Sequence, residues 1–252
     1  MLSHSLEHKS SKAHLTSVFS LTQEYAERSE SGDQNKVNNV ALSVLLIGEN
    51  HPHRASAQAF IKDGFTKAYG ADISVSMPNI IAIQKAHLKA ALGVRSAESR
   101  LFVEQYLPKD IDAMLADIKI DAKRTEIAEI GHLYANASQF MLSLLIATAL
   151  ILHQQGSKYM VFTATSQLSA LFEKFELAPQ FLANADPKKL LLSHQHWGTY
   201  YDTSPRVMVL CLDDVKQLIQ SRALFNNMAL ALAPQIDEIT HDVTLKANRV
   251  AA

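Results

Sequence analysis

The chain has 252 residues, of which 48% are hydrophobic, and its 24 Lys and Arg against 25 Asp and Glu leave a formal charge of −1. Such a composition supports an ordinary globular core and gives no electrostatic pull toward nucleic acid or anionic lipid. The one cysteine, Cys211, excludes a disulfide framework and a Cys-rich metal site.

Residues 1–39 are rich in Ser, Glu, Lys and His, with only short apolar clusters, and are expected to form a disordered polar leader. Met1 to Lys9 has no apolar core, so no secretion signal is expected and the protein is placed in the cytoplasm with Cys211 reduced. Val40–Ile47 predicts a strand. Ala55–Tyr69 predicts a helix stopped by Gly70. Ile73–Met77 alternates apolar and polar residues as an edge strand does, and Pro78 ends it. Ile80–Gln84 and Ala90–Arg95 predict a hairpin. Leu101–Leu107 predicts a further strand and Pro108–Ile118 a short helix.

Thr125–Ala135 predicts a strand, with Ser138 as the N-cap of the apolar helix after it. The apolar run Phe140–Leu152 is shorter than the roughly 20 residues of a membrane span, so a buried core helix and no transmembrane segment are expected. Tyr159–Thr165 predicts a strand, Gln167–Phe175 a helix and Val207–Leu212 a last strand. Asp213–Leu232 predicts one amphipathic helix ended by Pro234. The fold class is therefore α/β or α+β with a mixed sheet: an antiparallel meander, then a β-α-β-α unit whose strands run parallel. The domain reading is a leader at 1–39, one domain at 40–212, and an amphipathic helix with a frayed tail at 213–252.

Several residues carry chemistry. Glu129 lies in a core strand, where a carboxylate is costly unless partnered and its pKa tends to rise. It suits a general base or amine anchor, or else a salt bridge to Arg95 or Arg124. Glu104, the second catalytic candidate, shares a strand face with Phe102 and Tyr106, which reads as a pocket wall or a solvated face. Arg95 suits bidentate binding of a substrate carboxylate or a structural ion pair. His132 is three residues beyond Glu129, so strand alternation puts it on the opposite face, as a packed imidazole or a substrate contact. Thr163 and Thr165 share one strand face, for substrate binding or for sheet packing. The His51/His53 and His194/His196 pairs lack the Cys or His-Glu-x-x-His context of a metal site, and no metal is expected. No Gly-x-Ser-x-Gly elbow is present.

Antiparallel strands followed by strand-helix-strand-helix resemble GNAT-type acyltransferases. That likeness implies an acyl thioester lying between the two central strands. Its phosphates would rest on the start of the intervening helix, at Ser138, Gln139, Phe140 and Met141. The chain departs from the Gly-rich pattern there, having no Gly between 132 and 155, which favours the single phosphate of an acyl-carrier protein over acyl-CoA.

The wording is similar to a narrower group, the thermostable hemolysin family. The similarity rests on Leu92-Gly93-Val94-Arg95, Leu101-Phe102-Val103-Glu104-Gln105-Tyr106-Leu107, Glu129-Ile130-Gly131-His132-Leu133, Val161-Phe162-Thr163-Ala164-Thr165 and Trp197-Gly198-Thr199-Tyr200-Tyr201, in order over roughly 50–210. Gly93-Val94-Arg95 followed by Glu129-Ile130-Gly131-His132 also resembles acyl-homoserine-lactone synthases, with Gly131 and His132 replacing Ser and Arg. These likenesses imply N-acyl transfer from acyl-CoA or acyl-carrier protein to a small amine, an amino acid, with no permanently bound cofactor. Glu129 and Glu104 would be catalytic, and Arg95, Tyr106, His132, Thr163, Thr165 and Trp197 would bind substrate. A hemolysin acting directly on membranes and a catalytically inactive acyl-binding module remain alternatives, and the oligomeric state is open.

Overall fold

The computed structural model describes residues 41–190 and 194–242, so the expected leader and the last residues of the tail lie outside them. Seven strands form one sheet: β1 (Ser43–Ile47), β2 (Asn79–Gln84), β3 (Leu88–Ser96), β4 (Ile127–Ala135), β5 (Tyr159–Ala164), β6 (Gln180–Asn184) and β7 (Arg206–Cys211). Their order is β1-β2-β3-β4-β5-β7-β6. Every neighbouring pair is antiparallel except β4 and β5, which run parallel. The described residues also form six α-helices: α1 (Arg54–Tyr69), α2 (Ile111–Asp117), α3 (Ser138–Gln154), α4 (Ser166–Lys174), α5 (Leu212–Ser221) and α6 (Ala223–Asp242). The expected mixed α/β order is present: an antiparallel meander, then β4-α3-β5-α4.

Local chemistry explains the elements. Gly70 takes φ 64° and closes α1 through its N–H, a conformation that costs glycine nothing. Helix α3 is apolar on almost every side because strands lie under it and α5 and α6 lie over it. Its N-cap is Ala137, which makes no side-chain cap bond, whereas Ser138 is already helical. The segment 71–77 buries Ala71, Ile73, Val75 and Met77 in alternation, as predicted, but joins no ladder. Side chains of α1 satisfy its carbonyls instead: Thr66 Oγ1 on Ala71, Gln58 Nε2 on Val75, and the Arg54 guanidinium on Met77 and Pro78.

Two other expectations are corrected. The 101–107 stretch is not a strand; Val103–Tyr106 is a 3₁₀ turn. The N–H groups of Leu101, Phe102 and Val103 go to carboxylates rather than to a neighbouring strand. The predicted helix 213–232 is two helices, and Pro234 lies inside α6 rather than ending it. Proline there deprives the Leu230 carbonyl of its helical donor, at a residue that is 63% exposed. The next residue, Gln235, bonds Val44 N (2.9 Å) and the Leu42 carbonyl (3.1 Å), covering the open edge of β1.

Helices α3, α5 and α6 cover one face of the sheet. The other face is divided between α1, over β1–β3, and the 101–122 segment with α2, over β4, β5 and β7. The candidate site lies at the join.

Candidate functional site

The parallel pair β4/β5 is bonded only from Ile127/Tyr159 to Ile130/Phe162. Past that point β4 runs on to Ala135, while β5 ends at Ala164 and turns into α4. The strands part, leaving a pocket of about 60 Å³ lined by Glu129, Gly131, His132, Thr163, Phe102 and Trp197, among others.

Between Gly93/Gly131 and Ala91/Tyr134 the β3/β4 register shifts by one residue. His132 sits in this bulge with φ 54°. An extra residue slips side-chain alternation by one. His132 therefore joins Glu129 and Gly131 on one face and in one pocket, which corrects the expectation that it faces away. Its ring packs against Phe65 (6.3 Å) and lies parallel to Trp197 (7°, 6.4 Å).

Glu129 is 1% exposed. Its two oxygens accept the N–H groups of Phe102 (2.9 Å) and Val103 (2.8 Å) at the start of the 3₁₀ turn. Burial pushes its carboxyl up, and these N–H groups with the nearby Arg95 charge only partly offset that, leaving it at about 7. Burial, helped by Arg95, lowers His132 to about 4, so the imidazole is neutral at physiological pH. Its Nδ1 is shut off from solvent without a hydrogen-bond partner. Arg95 stands opposite Glu129 in the β3/β4 ladder. It donates from Nη1 to the Arg100 carbonyl (3.2 Å), and its buried Nε has no partner.

The pocket's aromatic wall comes from three segments. Tyr106 and Tyr201 share a hydrogen bond of 2.6 Å. Trp197 lies against Phe102, Tyr200 and Tyr201 at ring separations of 6.0, 5.3 and 5.9 Å. The 196–199 turn is pinned to the end of α1, with Asp72 N donating to the His196 carbonyl and Thr199 N to that of Tyr69.

The structure thus gathers Glu129, His132, Tyr106, Thr163 and Trp197, with Arg95 beside them but outside the lining. Glu104 is not brought to the pocket. Its carboxylate receives Leu101 N, Ile111 N and the Arg124 guanidinium, the latter at 2.6 Å. Burial alone would raise its pKa, but those partners together hold it below the usual value. Thr165 is the N-cap of α4, its Oγ1 accepting Leu168 N at 3.4 Å. Ser138, Gln139, Phe140 and Met141 stand at the start of α3, outside the pocket lining. A second cavity, of about 40 Å³ and wholly apolar, lies on the other face among Leu145, Ile146, Phe172, Phe175, Ile219 and Phe225.

Residues missed from the sequence include Met77 and Tyr200, both in the pocket lining. Two facing glycines are the signal for Met77: a Cβ on Gly93 would meet its Cγ at 2.4 Å, and one on Gly131 its Cε at 2.8 Å.

The thermostable hemolysin family model matches residues 47–216, two thirds of the chain. The chain belongs to the thermostable hemolysin family. The matched residues of this hemolysin-family chain include all of β2–β7 and the whole pocket lining. No curated protein matches the sequence. Among solved structures it is similar to the acyl-homoserine-lactone synthase LasI, at 12% identity over 69% of this chain and 91% of that one, with a TM-score of 0.48. It is also similar to FeeM, an N-acyl amino acid synthase from uncultured soil microbes, at 12% identity, 69% and 95% coverage and a TM-score of 0.46. A third is the CoA-dependent acyl-homoserine-lactone synthase BjaI, solved with SAM and isopentyl-CoA, at 10% identity, 82% and 94% coverage and a TM-score of 0.48. Among the described residues no helix is long and apolar enough to cross a membrane, and no three His, Cys, Asp or Glu cluster as metal ligands would.

Proposed function

We propose that this chain is an N-acyltransferase that moves a fatty acyl group from a thioester to the amino group of a small amine, an amino acid. The observation that carries this reading is the parting of β4 and β5 over a buried carboxylate. Parallel strands that separate leave free N–H and C=O groups facing one another. An extended arm with amides of its own can bond there as a short extra strand. That requirement suits the amide-bearing arm of an acyl-carrier protein or of CoA. The apolar cavity behind Phe162 and Phe172 suits the acyl chain better than Phe140 and Met141 do.

Acyl transfer to nitrogen needs a neutral amine. Glu129, poised at about 7, takes the ammonium proton near neutral pH. The amine nitrogen then attacks the thioester carbon, the C–N bond forms, and the C–S bond breaks. The thiolate leaves and takes up the second proton, which the nitrogen sheds as the amide forms, and Glu129 returns the first to solvent. Arg95, opposite Glu129 in the β3/β4 ladder, supplies a positive charge for the acceptor's carboxylate. Phosphate of the donor falls to the start of α3, where Ser138 and Gln139 carry N–H groups that a helix does not satisfy internally.

The test is direct. Purified protein is incubated with medium- and long-chain acyl-CoA or acyl-carrier protein and mixed amino acids, and N-acyl products are sought by mass spectrometry. A new N-acyl amino acid supports the reading and names the amine. Folded protein giving no product with any donor contradicts it, and lysis of cells by pure protein without thioester would favour direct membrane action.

A further inference from the structure

His132 stands out once Glu129 has been assigned the proton. Its backbone takes φ 54°, a region that residues with a Cβ seldom enter. Its Nδ1 is closed off from solvent and bonded to nothing. Both features cost stability. Buried polar atoms without partners and left-handed backbone at a residue with a Cβ are both rare, and both cluster at functional sites. The ring is also held in place, parallel to Trp197 and edge-on to Phe65, on the face that carries Glu129.

Resting on the acyl-transfer reading, we infer that the His132 imidazole, on the pocket wall, donates a ring N–H hydrogen bond to the thioester carbonyl oxygen in the β4/β5 gap and so acts as the catalytic electrophile. The bond strengthens as the amine attacks, because the carbonyl oxygen gains negative charge. It weakens when the C–S bond breaks and the carbonyl re-forms. No proton leaves His132 at any point. Neutrality suits the role: burial and Arg95 keep the ring uncharged, so it polarises the carbonyl without giving up a proton and is a poor rival to Glu129 as base.

Two variants and one spectrum test this. His132→Phe keeps the ring packing and removes the donor. His132→Asn tolerates the left-handed backbone and keeps an N–H. The expected result is a fall in kcat of roughly 100-fold for His132→Phe, with the thioester KM little changed and a partial return of kcat in His132→Asn. The acid limb of the rate profile stays in His132→Phe, because it belongs to Glu129.

The wild-type spectrum is independent of turnover and of whether His132→Phe folds. The infrared band of a ¹³C-labelled acyl-CoA carbonyl, bound to the wild-type chain without amine, is expected to shift to lower frequency. In folded His132→Phe the shift is expected to be lost. A bound carbonyl at its free frequency overturns the inference alone. So does a kcat within about twofold of wild type in His132→Phe, or loss of the acid limb, which would make His132 the base. Failure of any acyl thioester to bind wild-type protein overturns it together with the acyl-transfer reading.

Discussion

Gly131 faces Gly93 across the β3/β4 ladder, and the Met77 side chain lies over both, filling the space their missing side chains leave. A methyl on Gly93 would meet Met77 Cβ and Cγ at 2.6 and 2.4 Å, close to its backbone, where it cannot swing away. A methyl on Gly131 meets only the mobile Cε at 2.8 Å. Gly93→Ala is therefore expected to destabilise by about 1–3 kcal/mol, and Gly131→Ala by less. Urea denaturation of the two variants checks the order.

Glu129 links stability to pH. Unfolded, its carboxyl titrates near 4.5; folded, near 7. A raised folded pKa means that its contribution is fully present below pH 4.5 and is lost as pH rises to 7, by roughly 3 kcal/mol at most. Removing the titration in Glu129→Gln should flatten that stretch of the stability curve. The variant gives up one of two backbone hydrogen bonds in exchange. Thermal melts of both proteins from pH 4.5 to 8 measure the difference in slope.

Glu104 has the opposite sign. Its pKa is held down, so its contribution is present above the unfolded pKa and is lost as pH falls through the folded one. Arg124→Met strands a buried carboxylate and is expected to cost about 3–5 kcal/mol. Glu104→Gln should lower stability while leaving kcat of the proposed reaction nearly unchanged in the folded protein. Paired denaturation and rate measurements separate this structural role from a catalytic one.

Thr165 offers a cleaner contrast with its neighbour. As the N-cap of α4, Thr165→Ala should cost about 1 kcal/mol without changing substrate KM. Thr163 lines the pocket, so Thr163→Val should change KM with little effect on stability. Steady-state kinetics beside melting curves checks both.

Much of the fold was legible because hydrophobic period and punctuation agree. Gly70 stops α1 where expected, and the apolar run from 138 could only be a covered helix. Errors arose where long-range polar bonds decide the backbone. Nothing near 101–107 says that Glu129, 26 residues on, takes the Val103 N–H. Nothing near 71–77 says that α1 side chains will satisfy its carbonyls. The exposed strand β6 buries only Leu182 and left no periodic signal. Glu129 and Trp197, singled out by residue type and motif, both line the pocket. The position of His132 was not, because a bulge is a one-residue slip that alternation cannot anticipate.

The central claim is that the gap above Glu129 is where an acyl group passes from sulfur to nitrogen. The most direct measurement follows free thiol and N-acyl product together, in one reaction of wild type and of Glu129→Gln, across pH 5.5–8.5. Equal amounts of thiol and product are predicted for wild type. The rate should rise with pH through about 7, and the variant should lose at least about 100-fold with its acid limb gone. Thiol release without N-acyl product, or a Glu129→Gln rate and profile like those of wild type, would contradict the account.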